Sequence, residues 1–249
     1  TYPSSGLAAD LETVADLVCA DVGIRVFFTE LGGGGIGGFD NHAAQRDNHA
    51  ALLEQGFLNL GYMELGFRHA TNSARPLTTL EDFEGLDIRL QPNEVHLDTF
   101  RAIGANPQPL DISELYSALQ QKVLDGQENP YNIIYTRRFF EVQDYLSDTG
   151  HFFDFINVVA NADAFEALSP EHQEAVRTAM RSAVEWQRAE AAELDLGFRE
   201  QLIAEGMTFD PLPDAERARL REATAGIAED LKARVDPDVI DLVLEQISQ

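Results

Sequence analysis

The sequence of 249 residues has little cysteine, little lysine and no long apolar run. Its single cysteine, Cys19, excludes an intramolecular disulfide framework and any zinc site built from several cysteines. No apolar stretch approaches the ~20 residues that a membrane helix needs, so no direct membrane insertion is expected. The chain carries 43 acidic residues against 18 basic ones, only two of them lysines, and its formal net charge is −25. Without a basic stripe, so acidic a chain is not expected to bind nucleic acid.

The middle and the end of the chain differ in their hydrophobic patterns. Residues 57–160 alternate short apolar strands with amphipathic helices, one of which Ser113 is predicted to cap, and this alternation indicates an α/β sheet protein. From Ser169, with Pro170 in the first helical position, a helical pattern continues to about residue 205, or roughly 50 Å. A helix of that length is expected to bridge two lobes or to project from one.

A run of glycines, Gly32–Gly38, is predicted to form a loop after a strand at residues 22–28. The run fits the dinucleotide pattern G-x-G-x-x-G, which would suggest a dinucleotide-dependent enzyme. In a true fingerprint the glycines follow the strand directly, and a helix N-terminus then receives the pyrophosphate. Here three residues intervene, and Glu30 would place a carboxylate close to the diphosphate. An irregular loop is therefore favoured, and the enzyme stays as the alternative from another class.

The sequence contains few combinations of residues that are typical of catalytic or metal sites. The six histidines show no metal-ligand spacing, and no G-x-S-x-G nucleophile motif occurs. The sequence therefore predicts no catalytic residue, no metal and no cofactor, and the protein is not expected to be an enzyme.

Two arginines and one amide are better candidates for binding a ligand. Arg89 ends an apolar strand at residues 86–90, where ligands gather in open α/β sheets, and its guanidinium can hold a carboxylate through two hydrogen bonds. A structural salt bridge is an equally good interpretation of Arg89. Arg68 follows the strand predicted at 58–63. Asn129 precedes a proline and is held extended, so that it can bond a polar ligand or serve a turn.

Several motifs, in this order, resemble those of the substrate-binding proteins of TRAP transporters, the DctP-type family. They are Gly66-Phe67-Arg68 with Thr71-Asn72-Ser73, Gly85-Leu86-Asp87-Ile88-Arg89, Gly104-Ala105-Asn106-Pro107, Ser113-Glu114-Leu115-Tyr116 and Asp125-Gly126-Gln127-Glu128-Asn129-Pro130. The resemblance extends from about residue 57 to the C-terminus.

This resemblance implies a two-lobed α/β periplasmic binding protein with a hinge and a long helix that spans both lobes. Lobe I would comprise residues 1–65 and 155–194, and lobe II residues 66–154 and 195–249. Lobe I is expected to lack the family's first strand and first helix, which normally precede Tyr2.

The same resemblance implies roles for individual residues. Arg89 resembles the family's principal carboxylate-binding arginine, Arg68 the second arginine near the ligand, and Asn129 the amide that completes the clamp. Three further positions match ligand-facing positions of the family: Ile112, Asp10 and Glu30.

The function that the resemblance implies is capture of a small organic-acid anion in the periplasm and its delivery to the membrane permease subunits of a TRAP transporter. By resemblance the segment after Arg89 runs along the ligand cleft. Asn93 and His96 there offer donors and acceptors for hydroxyl groups, and Glu94 would repel a second acid group. A sugar acid such as a uronate or aldonate is therefore favoured, with a C4-dicarboxylate as the alternative. That Glu94 and His96 point to solvent is an equally open interpretation.

Overall fold

The computed structural model describes residues 27–34 and 52–232. Its strands are β1 Phe27–Gly34, β2 Phe57–Asn72, β3 Asp87–Leu90, β4 Asn106–Pro109, β5 Gly126–Asn129, β6 Tyr145–Asn161 and β7 Thr208–Pro211. Its helices are α1 Glu94–Ala102, α2 Ile112–Gln120, α3 Tyr131–Thr136, α4 Ala162–Glu166, α5 Pro170–Ala204 and α6 Asp214–Lys232.

These strands form one mixed sheet in the order β1-β6-β2-β5-β3-β4, with β7 paired to β6. The strand β5 runs antiparallel to β2 and parallel to β3, and β4 is also parallel to β3. Parallel neighbours need a crossover, which α1 supplies between β3 and β4, and α2 lies between β4 and β5. The predicted α/β class is therefore confirmed.

The described residues divide into two compact units. One holds residues 27–31, 52–65 and 154–193, and the other holds 32–34, 66–153 and 194–232. The strands β2 and β6 and the helix α5 each continue from one unit into the other. That these units are the two lobes with the boundaries expected from the sequence stays a prediction.

The first unit has an apolar core in which α5 packs against the sheet. Leu58 of β2, Val158 of β6 and Val176 of α5 belong to this core. The side-chain amide of Gln187, in α5, also pairs with the backbone of Glu64, accepting from its N–H at 2.8 Å and donating to its carbonyl oxygen at 2.7 Å. A neighbouring strand would bond the backbone of β2 in the same way.

The second unit contains two apolar clusters. In one, Ile88 and Leu90 of β3 pack with Leu97 and Phe100 of α1 and with Phe152 of β6. The other is built on α2 and α3 and includes the C-terminal part of α5. Its buried members are Leu115, Leu119, Leu124, Tyr131, Ile134, Phe139, Leu146, Leu202 and Met207.

The long helix has the start that the sequence predicts. The Ser169 hydroxyl accepts a hydrogen bond from the N–H of His172 at 3.3 Å, and Pro170 is the first helical residue. The helix ends at Ala204, before Gly206, whose φ of 109° suits a residue without a side chain. The predicted helix of about 35 residues is thereby confirmed.

Three local predictions are wrong. The strand β2 does not stop at residue 63 but continues to residue 72, so Arg68 lies inside it. The cap of α2 is Asp111, which accepts from the N–H of Ser113, rather than Ser113 itself. The predicted glycine loop is wrong for residues 32–34, which belong to β1, and residues 35–38 lie outside the described part of the chain.

We expect Gly126→Ala to lower the free energy of unfolding by roughly 1–3 kcal/mol or more, because a Cβ there would overlap the backbone oxygen of Thr71 and stand 2.8 Å from Cβ of Asn72. Urea denaturation measures this change. Gly226→Ala is the matched control: in the exposed middle of α6 its Cβ would meet nothing within 4 Å, and the variant should gain up to about 1 kcal/mol. Equal stabilities of the two variants would contradict the close approach of β2 and β5.

Candidate functional site

The candidate site is built on β5, whose polar side chains are all buried in the second unit. Gln127 and Glu128 have no exposed surface, and Asn129 is 2% exposed. The pairing with β2 sets Thr71 opposite Gln127 and Ala70 opposite Glu128. Because side chains alternate along a strand, Gln127 and Asn129 lie on one face of the sheet and Glu128 lies on the other.

Arg68 and Glu128 form a buried ion pair with two hydrogen bonds. The distance from Nε to Oε2 is 2.5 Å and that from Nη2 to Oε1 is 2.8 Å. The same Nη2 donates to the backbone oxygen of Glu128 at 2.9 Å and to Oδ1 of Asn129 at 3.2 Å. Both side chains of the pair are at most 1% exposed. The guanidinium that resembles a ligand-binding arginine is thus held by a carboxylate of its own chain.

His151 completes this group on the Glu128 side. Its Nε2 lies 3.1 Å from Oε2 of Glu128, and its Nδ1 lies 2.7 Å from the hydroxyl of Thr149. Burial alone would raise the pKa of Glu128, but the Arg68 charge and the bond from His151 hold it below the usual range. Burial lowers the pKa of His151. Glu128 is therefore ionised, and a neutral His151 donates its Nε2–H to Glu128 and accepts from Thr149.

The opposite charges in this group depend on each other. Removing one partner of a buried pair costs about 3–5 kcal/mol, because the remaining charge is left in a poorly solvating interior. Arg68 could thus approach a ligand carboxylate only as a cation already balanced by Glu128. Its role near a ligand stays a prediction.

Arg89 occupies the third of the four positions of β3 and is 3% exposed. Its Nε donates to the backbone oxygen of Leu110, just after β4, at 2.7 Å. Its neighbours Ile88 and Leu90 point to the opposite face and belong to the apolar cluster around α1. The guanidinium is therefore held on the face that carries Gln127, its neighbour in the register. Its expected contact with a ligand carboxylate stays a prediction.

The segment after β3 uses its polar residues in different ways. Asn93 caps α1, its side chain accepting from the N–H groups of Val95 and His96. The side chain of Glu94 is 72% exposed and lies 3.7 Å from Arg101, so Glu94 does point to solvent. His96 does not, because it is fully buried.

His96 is the one of these residues with an unsatisfied atom. Its ring stacks on Phe152 with 4.0 Å between centroids, and its Nδ1 lies 3.1 Å from Nε2 of Gln91. Because an amide nitrogen only donates, Nδ1 is the acceptor and the proton of the neutral ring is on Nε2. That buried N–H has no hydrogen-bond partner among the described residues.

The remaining candidates are more weakly placed. Ile112 is the first residue of α2, half-buried against the cluster around Leu115. Asp10 lies outside the described residues. Glu30 lies in β1, and its side chain is not among those described.

Sequence reasoning missed the acidic and neutral partners of the candidate site. Glu128 and His151, which balance and complete the Arg68 group, were not singled out, and neither was Gln127. A signal was present, because Gln127 and Glu128 sit inside the motif that ends at Pro130. When three successive residues of a buried strand are polar, their side chains need hydrogen-bond partners inside the protein.

In residues 27–34 and 52–232, no group of three or more His, Cys, Asp or Glu side chains is arranged to hold a metal ion. None of the helices there combines the length and the apolar character of a membrane span.

Solved structures of proteins that bind small organic acids share this fold. The sugar acid binding protein of Advenella mimigardefordensis, in complex with galactonate, is 31% identical, with a TM-score of 0.77, over 82% of this chain and 66% of that one. A TRAP periplasmic solute-binding protein from Sulfurospirillum deleyianum with bound succinate is 30% identical, with a TM-score of 0.75, over 82% and 67%. The fold is thus that of a two-lobed periplasmic binding protein.

A family model described as bacterial extracellular solute-binding protein, family 7 (DctP) matches residues 39–234, and the chain belongs to this family. The 2,3-diketo-L-gulonate-binding periplasmic protein of Escherichia coli (strain K12) is 34% identical over 200 residues, which are 79% of this chain. This chain spans 60% of that relative's length. The family is one of solute receptors, and the dinucleotide-dependent enzyme finds no support.

As the pH is lowered from 6.5 to about 4, the free energy of unfolding should fall, partly because burial lowers the pKa of His96 from 6.5 to about 4. In that interval His96 binds a proton in the unfolded chain but not in the folded one. The free energy of unfolding therefore falls by about 1.36 kcal/mol for each pH unit, or by about 3 kcal/mol over the whole interval. In His96→Phe, which keeps the stacking on Phe152, this part of the pH dependence should disappear. Urea denaturation at pH 7.0, 5.5 and 4.5 measures it.

His172→Gln is the control, since His172 is exposed in the first turn of α5 and its replacement should leave the pH profile as in the wild type. Buried His151 contributes with the same sign and is present in both variants. An unchanged profile in His96→Phe would contradict the neutral buried state of His96.

Proposed function

We propose that this protein captures a small organic-acid anion outside the cytoplasm and delivers it to the membrane permease of a TRAP transporter. The observation that carries the proposal is the buried guanidinium of Arg89, whose Nε donates to the backbone oxygen of Leu110 and which lies next to Gln127 of the polar buried strand β5. Membership in a family of extracellular solute-binding proteins supports it. A binding protein of this kind releases its ligand unchanged, so no catalytic step is expected.

The chemistry of Arg89 suits a carboxylate. Nε of Arg89 donates to the backbone oxygen of Leu110, the residue that follows β4, and this bond fixes the plane of the guanidinium. A guanidinium in a fixed plane can bond both oxygens of a carboxylate without losing much conformational freedom on binding. Its burial makes the interaction stronger than it would be in water.

A sugar acid is the ligand that we favour. The Nε2–H of His96 is buried and has no hydrogen-bond partner among the described residues, so a hydroxyl oxygen of a ligand that reached it would satisfy it. Relatives whose names carry 2,3-diketo-L-gulonate and galactonate support this choice. Asn93 no longer contributes to it, because its side chain caps α1, and neither does Glu94, which faces solvent beside Arg101.

A C4-dicarboxylate remains the second candidate, because the similar structure from Sulfurospirillum deleyianum holds succinate. We further propose a periplasmic location, which the periplasmic relatives support. The partners would be the permease subunits.

A thermal-shift screen followed by calorimetry separates these ligand classes. We expect D-galactonate or a uronate at a hundredfold excess over its dissociation constant to stabilise the protein by about 2.7 kcal/mol, a melting shift of several degrees. A shift with succinate or malate alone would refute the sugar-acid preference. Binding of NAD or NADP, with no binding of any carboxylate, would refute the proposed function.

We expect Arg89→Lys to weaken the binding of the acid found in that screen by roughly one to two powers of ten. Lysine keeps the positive charge but cannot bond both carboxylate oxygens, and a lost hydrogen bond to a charged group costs about 1.5–3 kcal/mol. Calorimetric titration measures the dissociation constant. Because Arg89 is 3% exposed rather than facing solvent, some loss of stability should accompany the change.

Arg101→Lys is the matched control. Arg101 lies on the exposed side of α1 beside Asp98 and Glu94, with 52% of its side chain exposed, so its replacement should leave affinity unchanged. An equal affinity of Arg89→Lys and wild type would assign Arg89 a structural role.

A further inference from the structure

A continuous chain of buried polar side chains leads away from Asn129 into the protein. Nδ2 of Asn129 donates to Oε1 of Gln127 at 2.5 Å, and Nε2 of Gln127 donates to the hydroxyl of Thr71 at 2.9 Å. The Thr71 hydroxyl in turn donates to Oε1 of Gln143 at 2.9 Å. None of these four side chains is more than 3% exposed. The chain crosses from β5 to β2 and ends beside β6.

Arg68 determines the orientation at the first end of this chain. A guanidinium only donates hydrogen bonds, so the atom of Asn129 that lies 3.2 Å from Nη2 of Arg68 must be the amide oxygen. The amide nitrogen of Asn129 then faces Gln127, which has to present its own oxygen.

Backbone oxygens determine the orientation at the other end. The nitrogen of the Gln143 amide lies 3.0 Å from the carbonyl oxygen of Val142 and 3.2 Å from that of Asp125, and carbonyl oxygens only accept. The oxygen of Gln143 therefore faces Thr71, whose hydroxyl has to donate. Thr71 can then only accept from Gln127, which is the arrangement required from the first end.

Both ends thus select the same orientation for every amide, and this has a consequence for Asn129. Its oxygen is used by Arg68 and one of its two N–H groups by Gln127. The second N–H has no acceptor among the described residues.

We propose that Gln127, Thr71 and Gln143 are positioning residues that fix Asn129 as a hydrogen-bond donor toward the ligand. This inference rests on the proposed function, in which Asn129 contributes to the carboxylate clamp. The ligand atom beside Asn129 must be an acceptor, such as a carboxylate or hydroxyl oxygen, and an ammonium or amide nitrogen would be excluded there. Thr71 and Gln143 act on the ligand only through the orientation of the Asn129 amide.

A double-mutant cycle between Thr71 and Asn129 tests this coupling. D-galactonate and succinate are titrated in parallel into the wild type, Thr71→Val, Asn129→Ala and the double variant of the 249-residue chain. Thr71→Val has nearly the volume of threonine but can neither accept from Gln127 nor donate to Gln143. We expect it to weaken binding roughly 10-fold or more, the effect of a lost hydrogen bond to a charged group. In the Asn129→Ala background it should have no further effect.

Two comparisons separate positioning from general damage. Thr71→Ser keeps the hydroxyl and should restore the affinity. Thr99→Val removes a hydroxyl that bonds the backbone oxygen of Val95 within α1, and it should bind as the wild type does. If Thr71→Val does not fold, Gln143→Met removes the last hydrogen bond of the series at its other end. This variant then supports a second double-mutant cycle with Asn129→Ala.

The outcomes distinguish this inference from the proposed function. Binding by the wild type with losses that simply add in the double variant would overturn the positioning role alone. So would an unchanged affinity of Thr71→Val. Failure of the wild type to bind these two acids or any other carboxylate of the thermal-shift screen would contradict the proposed function itself, and the inference with it.

Discussion

The burial of one ion pair constrains most of the second unit. Arg68 and Glu128 are both almost fully buried, and neither charge could be kept there without the other. Their contact requires β2 and β5 to be neighbours in the observed register, with Ala70 opposite Glu128. Because Gly126 admits the backbone of Thr71 so closely, the register is fixed from the other end of β5 as well. The position of Arg89 is determined in turn, because β3 pairs with β5 and this pairing sets Arg89 next to Gln127.

The two faces of β5 carry different polar systems. On one side the charges of Arg68 and Glu128 are balanced and a neutral His151 completes the group, so the whole group adds no net charge to the interior. On the other side only neutral groups continue from Asn129 to Gln143, each with a donor facing an acceptor. Every side chain of this series has at least one hydrogen-bond partner, and one N–H of Asn129 is left in a defined direction without an acceptor among the described residues.

The protein is strongly acidic as a whole, yet its candidate site contains two buried arginines. Net charge governs solubility and long-range repulsion, whereas the local field of a buried guanidinium governs which ligand binds. With a formal charge of −25, the surface repels anions, so an organic acid would have to be held by the local charge of a buried guanidinium such as that of Arg89. The ring of His96 is neutral and buried, and its N–H has no acceptor among the residues that the structure describes.

Local sequence determined the elements whose causes are local. Ser169 and Pro170 start α5, and the alternation of short apolar segments predicts the α/β class, because caps and periodicity act within a few residues. The candidate residues Arg89, Arg68 and Asn129 could also be named from their motifs. The sequence did not reveal that Arg68 lies within β2 and is paired with Glu128, or that Gly32–Gly34 join a strand. Those outcomes depend on strand pairing between segments far apart in the chain, and only the tertiary structure brings their partners into contact.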